Sequence, residues 1–201
     1  IEKLYNFFKH FHFTFLEVNP LAITETGEYK PIDFAVFIDE SSVYLFPEYD
    51  NILNLEYSKI AFNHPTEEFI SKLDEKTGSS LKFSMLNQYG KIWTLISGGG
   101  ASVLFTDAIV NRGYGSELAN YGEMSGDPPS EYVYLYVSEV LSCMKKVEGD
   151  KVLFIGGAIA NFTDVYESFK GIVKAFSENL SLFSSTKVFV RRGGPKSKEA
   201  L

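Results

Sequence analysis

One local event recurs along this chain and constrains its fold more than any other: an apolar run ends in glycine, and a helical pattern follows. KIWTLIS (91–97) reads as a strand, GGGAS (98–102) follows, and a helix runs to about 112. ELANY (117–121) is the next strand and YGEMSGDPPS a long loop. A helix spans about 130 to 146, with Tyr132, Val133, Tyr136, Val137, Val140, Leu141 and Met144 on one side. KVLFIG is a strand with GAIAN as its exit, and Phe162, Val165, Phe169, Ile172, Val173 and Phe176 mark another helix. KVFV is the last strand, and RRGGPKSKEAL is expected to open a further helix. Strand–helix alternation of this kind predicts an α/β fold with a doubly wound, mostly parallel, flavodoxin- or Rossmann-like sheet.

The front of the chain is built differently. Ile1, Leu4, Phe7, Phe8 and Phe11 fall at helical spacing. HFTFLEVNPLAIT (12–24) reads as a strand that Pro20 interrupts or moves to an edge. ETGEYK is a turn, and PIDFAVFID is a second strand. Residues 40 to 66 are acidic, carry prolines at 47 and 65, show no period and read as a connector. A short helix from about 66 to 76 follows, with Thr66 as its expected N-cap.

Composition removes several function classes. A net charge of −7 argues against nucleic acid as a partner. No apolar run approaches the roughly 20 residues of a membrane span, and no secretory leader opens the chain. Ile at position 1 is expected of a processed or excised piece. The single cysteine, Cys143, excludes an internal disulfide, suits a reducing compartment and reads as a small core residue. A cytoplasmic location is expected.

In sheets of this class ligands sit outside the carboxyl ends of the strands. Here those ends carry GGGAS, SGDPPS (125–130), GGAIANFT (156–163) and RRGG (191–194). Glycine lets a ligand approach the backbone, and a helix start offers free N–H groups and a positive dipole to an anion. Asn161 and Thr163 add side-chain donors, and the adjacent Arg191 and Arg192 stand in a chain with only three arginines. An arginine fork can clamp a carboxylate with two parallel bonds. Alternation along a strand points only one of the pair inward, and Arg192 is the choice. The four exits together predict a pocket for a small polyanion. Neither a G-x-G-x-x-G nor a Walker sequence is present. His10, His12 and His64 form no metal-ligand or triad constellation.

The runs ISGGGASVLFTDAIVNRGYGSELANYGEMSGDPPSE, IGGAIANFTDVYESFKGIVKAF and VFVRRGGP resemble the citrate-binding region of ATP-citrate lyase. FTFLEVNPLAIT with IDFAVFID resembles the end of that family's ATP-grasp domain. EVNPL, LDEKTGSS and GGGAS are shared with the succinyl-CoA synthetase β chain, while ANFT, FKGIVKA and VRRGGP favour the lyase. The resemblance implies residues 1–45 as the C-terminal part of an ATP-grasp domain, 46–80 as a connector with a short helix, and 81–201 as a citrate-binding, ligase-CoA-like domain, cut at its C-terminus.

It also implies a reaction, in which citrate, ATP and coenzyme A give acetyl-CoA, oxaloacetate, ADP and phosphate through a phosphohistidine and citryl phosphate. Carried over residue by residue, citrate is held by Gly126, Asn161, Thr163 and Arg192. Gly99, Gly100 and Ala101 form the helix start that receives the phosphate. Asn19 and Asp33 hold Mg²⁺ with the nucleotide, and Asp74, Thr77 and Ser79 form an oxygen-rich loop for a second cation. Asn179 stands where the family has a tyrosine that reaches the site. No catalytic residue is expected in this chain, because the phosphohistidine and the coenzyme A site belong to another domain or subunit. The expected partners are citrate, the rest of the ATP-grasp domain and the histidine-bearing part, within an oligomer, and the chain alone is expected not to turn over. A citryl-CoA or succinyl-CoA synthetase large-chain segment and a non-catalytic citrate-sensing module remain as alternatives.

Overall fold

Apolar strands that alternate with amphipathic helices can bury both faces of a sheet, and the computed structural model shows this arrangement. It describes residues 1–39, 42, 45, 46 and 62–200. Most of the acidic connector lies outside them. The chain divides into two units, residues 1–61 and 62–201.

The first unit opens with α1 (Glu2–His10). The expected strand over 12–24 breaks at the Asn19–Pro20 step into β1 (Phe13–Val18) and β2 (Leu21–Ile23). Proline brings no N–H to a ladder. β3 (Tyr29–Pro31) pairs with β2, and β4 (Phe34–Ile38) pairs with β1, both antiparallel. Phe13 and Phe46 are buried, with Phe8, Phe11, Val36 and Ile38 packed on them.

The second unit begins with α2 (Pro65–Asp74), whose Ile70 and Leu73 enter its core. Its N-cap is His64 and not Thr66: the His64 Nδ1 accepts from the Thr66 N–H at 3.2 Å. The Thr66 hydroxyl is turned inward, 2.9 Å from Glu139 and 3.1 Å from the Cys143 sulfur. β5 (Ser80–Met85), β6 (Ile92–Ser97), α3 (Gly99–Ile109), β7 (Asn120–Ser125), α4 (Ser130–Lys145), β8 (Lys151–Ile159), α5 (Val165–Ser177) and β9 (Thr186–Gly193) follow. The sheet order is β5-β7-β6-β8-β9; four strands run parallel, and β5 joins antiparallel at one edge.

Trp93, Leu95, Leu153 and Ile155 share a core with Val133, Val137 and Leu141 of α4 and with Ile172 of α5. On the opposite face Phe105 of α3 packs over Ile96 and Gly156. Helices on both faces make the sheet doubly wound. Three local expectations are corrected. β7 occupies Asn120–Ser125, further along than ELANY and inside the expected loop. β5 lies where the sequence pattern predicts no strand. Residues 195–200 form turns and no regular helix.

Gly171 sets the crossing of α4 and α5. A Cβ there would stand 2.4 Å from the Ser130 carbonyl oxygen and 2.9 Å from the Tyr134 nitrogen. Helix propensity alone favours alanine over glycine by about 0.8–1 kcal/mol. A backbone clash cannot be relieved by turning a side chain, so overpacking of about 1–3 kcal/mol decides the sign. Gly171→Ala is therefore expected to lower the melting temperature, as thermal unfolding followed by circular dichroism will show. The Cys143 thiol is pushed above its ordinary pKa by burial. Its alkylation by a thiol reagent is expected to be slow in the native chain and fast only after unfolding.

Candidate functional site: the crevice at the strand exits

From β6 the chain crosses to β7 on one side, and β8 returns on the other side of β6. The helices that follow β6 and β8 lie on opposite faces, which opens a crevice between these two strand ends. Ser97 and Gly157 face each other across it. At its floor α3 begins. Gly98 has φ 98°, where only glycine is unstrained, and donates its N–H to the Met124 carbonyl at 2.8 Å. The first helical bond, Ser102 N–H to Gly98 carbonyl, leaves the N–H groups of Gly99, Gly100 and Ala101 without an intrahelical acceptor. A carboxylate already stands beside them. A Cβ on Gly99 would lie 2.9 Å from the Glu123 Oε2. The helix dipole stabilises an anion there, and Ser125 donates to Glu123 Oε1 at 2.8 Å. The sequence reading missed Glu123.

Above the floor is a narrow cleft of about 10 Å³, lined among others by Ser97, Pro128, Thr163, Ser168, Phe169 and Arg192. Thr163 and Arg192 thus meet in one place. Arg191 is exposed and does not line the cleft. The Arg192 guanidinium donates to the carbonyl of Ala158, its own neighbour strand. Burial pulls its pKa below the usual arginine value, the sign of a cation short of counter-charge. Gly157 must be glycine for this: a Cβ would lie 2.6 Å from the Arg192 Nη1 and 2.7 Å from the Ser97 carbonyl oxygen. Gly126 (φ 76°) and Asn161 are exposed and do not line the cleft. The Gly126 carbonyl is held by the Ser79 hydroxyl at 2.9 Å.

Three of the strand exits converge on one residue. Asp164 caps α5, its Oδ1 accepting the Glu167 N–H at 3.1 Å. Its backbone N–H reaches Asp127 Oδ1, in the SGDPPS loop, at 3.0 Å. Its Oδ2 pairs with Lys196, beyond β9, at 2.5 Å, and the adjacent Val165 N–H donates to the Pro195 carbonyl at 3.2 Å. The hydrogen bond from Lys196 holds the Asp164 carboxyl below the usual range, and the same bond raises Lys196. The sequence reading missed this hub. D-x-x-E at 164–167 is a capping-box pattern and could have marked the cap, though not its distant partners.

Residues 62–201 match the family described as ATP citrate lyase citrate-binding. The chain belongs to that family. It is 42% identical over 212 residues to the ATP-citrate synthase of Bos taurus, covering all of this chain and 19% of that protein. It is 40% identical over 207 residues to the ATP-citrate synthase alpha chain protein 1 of Arabidopsis thaliana, covering 100% of this chain and 48% of that one. The structure of ATP citrate lyase from Methanothrix soehngenii in complex with citrate and coenzyme A superposes with a TM-score of 0.77 at 37% identity, over 98% of this chain and 51% of that one. The ATP citrate lyase of Methanosaeta concilii in complex with (3S)-citryl-CoA also gives 0.77, at 38% identity, over 98% of this chain and 50% of that one. The chain thus spans about a fifth of its long relative and about half of its shorter ones.

The remaining residues expected from the ATP citrate lyase resemblance divide into two groups. Asn19 and Asp33 are neighbours at the end of the β1–β4 ladder, the Asn19 N–H donating to the Asp33 carbonyl at 3.0 Å. An amide oxygen and a carboxylate there suit Mg²⁺, which keeps waters and phosphate oxygens as its other ligands. The Asp74 loop is different. Asp74 Oδ1 accepts the Leu81 N–H at 2.6 Å and Oδ2 pairs with Lys82 at 2.5 Å. Burial acts to raise the Asp74 pKa, but Lys82 and the Leu81 N–H outweigh it and the group sits low. Thr77 accepts the Ser79 N–H, and Ser79 donates to Gly126. These oxygens start β5 and tether the SGDPPS loop, so a cation would have to displace protein donors. Among the described residues no three histidine, cysteine or acidic side chains gather for a metal. Asn179 donates to the Ala175 carbonyl at 2.6 Å, at the end of α5.

Asp164→Asn keeps a cap and removes the ion pair. The lowered Asp164 contributes stability above its unfolded pKa and loses it as pH falls; the raised Lys196 contributes below its unfolded pKa and loses it as pH rises. The stability difference between parent and variant is therefore expected to be largest between about pH 4 and 10, to vanish in acid, and to shrink in alkali to what the ionised cap keeps on its backbone N–H groups, as paired denaturant titrations across pH will show.

Proposed function

We propose that this chain supplies the citrate pocket of an ATP citrate lyase. One observation carries the reading: Arg192 and Thr163, from two different strand exits, line one cleft together with Ser97, the last residue of β6 before the α3 start. The cleft itself holds no more than about one water, so citrate would sit over its mouth, taking the Arg192 fork through one carboxylate and Thr163, Asn161 and the Gly126 backbone through its other oxygens. The α3 start would then face a phosphoryl group brought to the citrate from a phosphohistidine in another domain or subunit. A citrate carboxylate oxygen attacks phosphorus and the histidine leaves, giving citryl phosphate; coenzyme A displaces phosphate, and the citryl-CoA is cleaved to acetyl-CoA and oxaloacetate. Asn19 and Asp33 would hold the Mg²⁺ of ATP in the complete ATP-grasp domain. Coenzyme A binds elsewhere, the assembly is an oligomer, and the cytoplasm is its compartment.

Citrate has more oxygens to engage these donors than succinate has. In calorimetric titration of the folded chain, citrate is expected to bind more tightly than succinate. Arg192→Ala is expected to weaken citrate by about 1.5–3 kcal/mol, roughly ten- to a hundredfold. Equal affinity for the two acids, or an unchanged affinity in the variant, would sink the assignment. The chain alone is expected to show no ATP-dependent turnover of citrate.

A further inference from the structure

We propose a second anion site at the opposite end of the sheet, where the parallel strands begin, for a small phosphorylated compound. A groove of about 590 Å³ lies there, within the usual range for ligand pockets. Its lining includes Lys91, Lys151 and Lys187, each at the start of a different strand, with Tyr114 and Phe183 as apolar flanks.

The strand register brings Lys91 and Lys151 together, while Lys187, one residue beyond their row, lines the groove from the other face of the sheet. Ile92, Val152 and Lys187 are matched across β6, β8 and β9, and Lys151 is matched to Thr186. Lys91 and Lys151 each precede a matched residue, so they share a row on one face of the sheet. Adjacent strands lie about 4.8 Å apart, and two like charges at that spacing repel. Both ammonium groups in fact converge on Gly149. Lys151 Nζ donates to its carbonyl at 2.8 Å, and a Cβ built on that glycine would lie 4.0 Å from Lys91 Nζ.

Lys151 is 5% exposed. Burying an ammonium group is costly without a counter-ion, and a lysine has three protons to donate. Here one carbonyl takes one of them. Among the described residues none of the four ion pairs uses Lys91, Lys151 or Lys187. Glu117 and Asp150 also line the groove. Three ammonium groups against two carboxylates leave a local positive excess in a chain whose net charge is −7.

A phosphate fits this arrangement because it can bridge both ammonium groups of the shared row. The hydroxyl-bearing Ser184 and Ser185 stand beside it, and the aromatic flanks suit a ligand with an apolar body. This site is independent of the citrate pocket and does not rest on its assignment.

Phenyl phosphate is the probe, with inorganic phosphate for comparison, titrated calorimetrically into the 201-residue chain. Phenyl phosphate is expected to bind more tightly than inorganic phosphate, and both more weakly as salt rises. Because Lys91 and Lys187 are exposed, the double change Lys91→Gln with Lys187→Gln tests the site without disturbing the core. It is expected to weaken binding at least tenfold while the citrate affinity of the same sample stays unchanged. Lys151→Met is expected to abolish binding, with circular dichroism as the control for folding. Arg192→Ala is expected to leave phenyl phosphate binding intact. Binding that disappears in Arg192→Ala, binding that survives the double lysine change, or no binding to a folded parent chain would each overturn the proposal.

Discussion

The geometry of the crevice depends on how Asn120 joins β7 to β6. Five steps along β6, from Ile92 to Ser97, face six along β7, from Leu118 to Met124. The backbones cannot stay in register across that mismatch. The Asn120 side chain fills the gap: its Oδ1 accepts the Thr94 N–H at 2.9 Å and its Nδ2 donates to the Thr94 carbonyl at 3.0 Å. The Thr94 hydroxyl returns a bond to the Asn120 carbonyl at 3.2 Å. Asn120 is fully buried and Thr94 nearly so, and each such group left unpaired would cost about 1–3 kcal/mol. With this plug in place the strands come back into step at Ser97 and Met124, the Gly98 N–H finds the Met124 carbonyl, and α3 starts where the crevice needs it.

That dependence also marks where sequence reading works and where it stops. α4 was legible because Val133, Val137, Val140, Leu141 and Met144 repeat at helical spacing, and burial follows that spacing. β6 and β8 were legible because a strand covered on both faces is apolar throughout. β7 was placed too early because its true residues, Asn120 to Ser125, include two polar side chains, a carboxylate and a glycine. Their strand character comes from the partners on either side and from the Asn120 plug, which no local propensity contains. β5 carries an alternation, Leu81, Phe83 and Met85 against Lys82 and Ser84, but six residues are short evidence. The expected last helix is a set of turns after Gly194, whose φ of 140° lies in glycine's own territory.

The site shows the same division. Glycine at each strand exit and a paired arginine in an arginine-poor chain are local signals, and they led to Thr163 and Arg192. The tie of Asp164 to Asp127 and Lys196 spans 37 residues in one direction and 32 in the other. Each member alone is an ordinary surface charge, and only the fold makes them one cluster. The Asp74 loop shows the converse: its oxygens are visible in the sequence, but their partners come from elsewhere, the Leu81 N–H of β5 donating to Asp74 and the Gly126 carbonyl of the SGDPPS loop accepting from Ser79.

Arg192 has one further consequence. Its guanidinium already rests on the Ala158 carbonyl. That contact uses one of five N–H donors and leaves the others open. It also pins the far end of a long side chain to the neighbouring strand. In the proposed function a carboxylate would therefore meet an arginine whose rotamers the fold has already restricted, and less ordering entropy would be charged to binding. The internal contact would act as a preset for the fork.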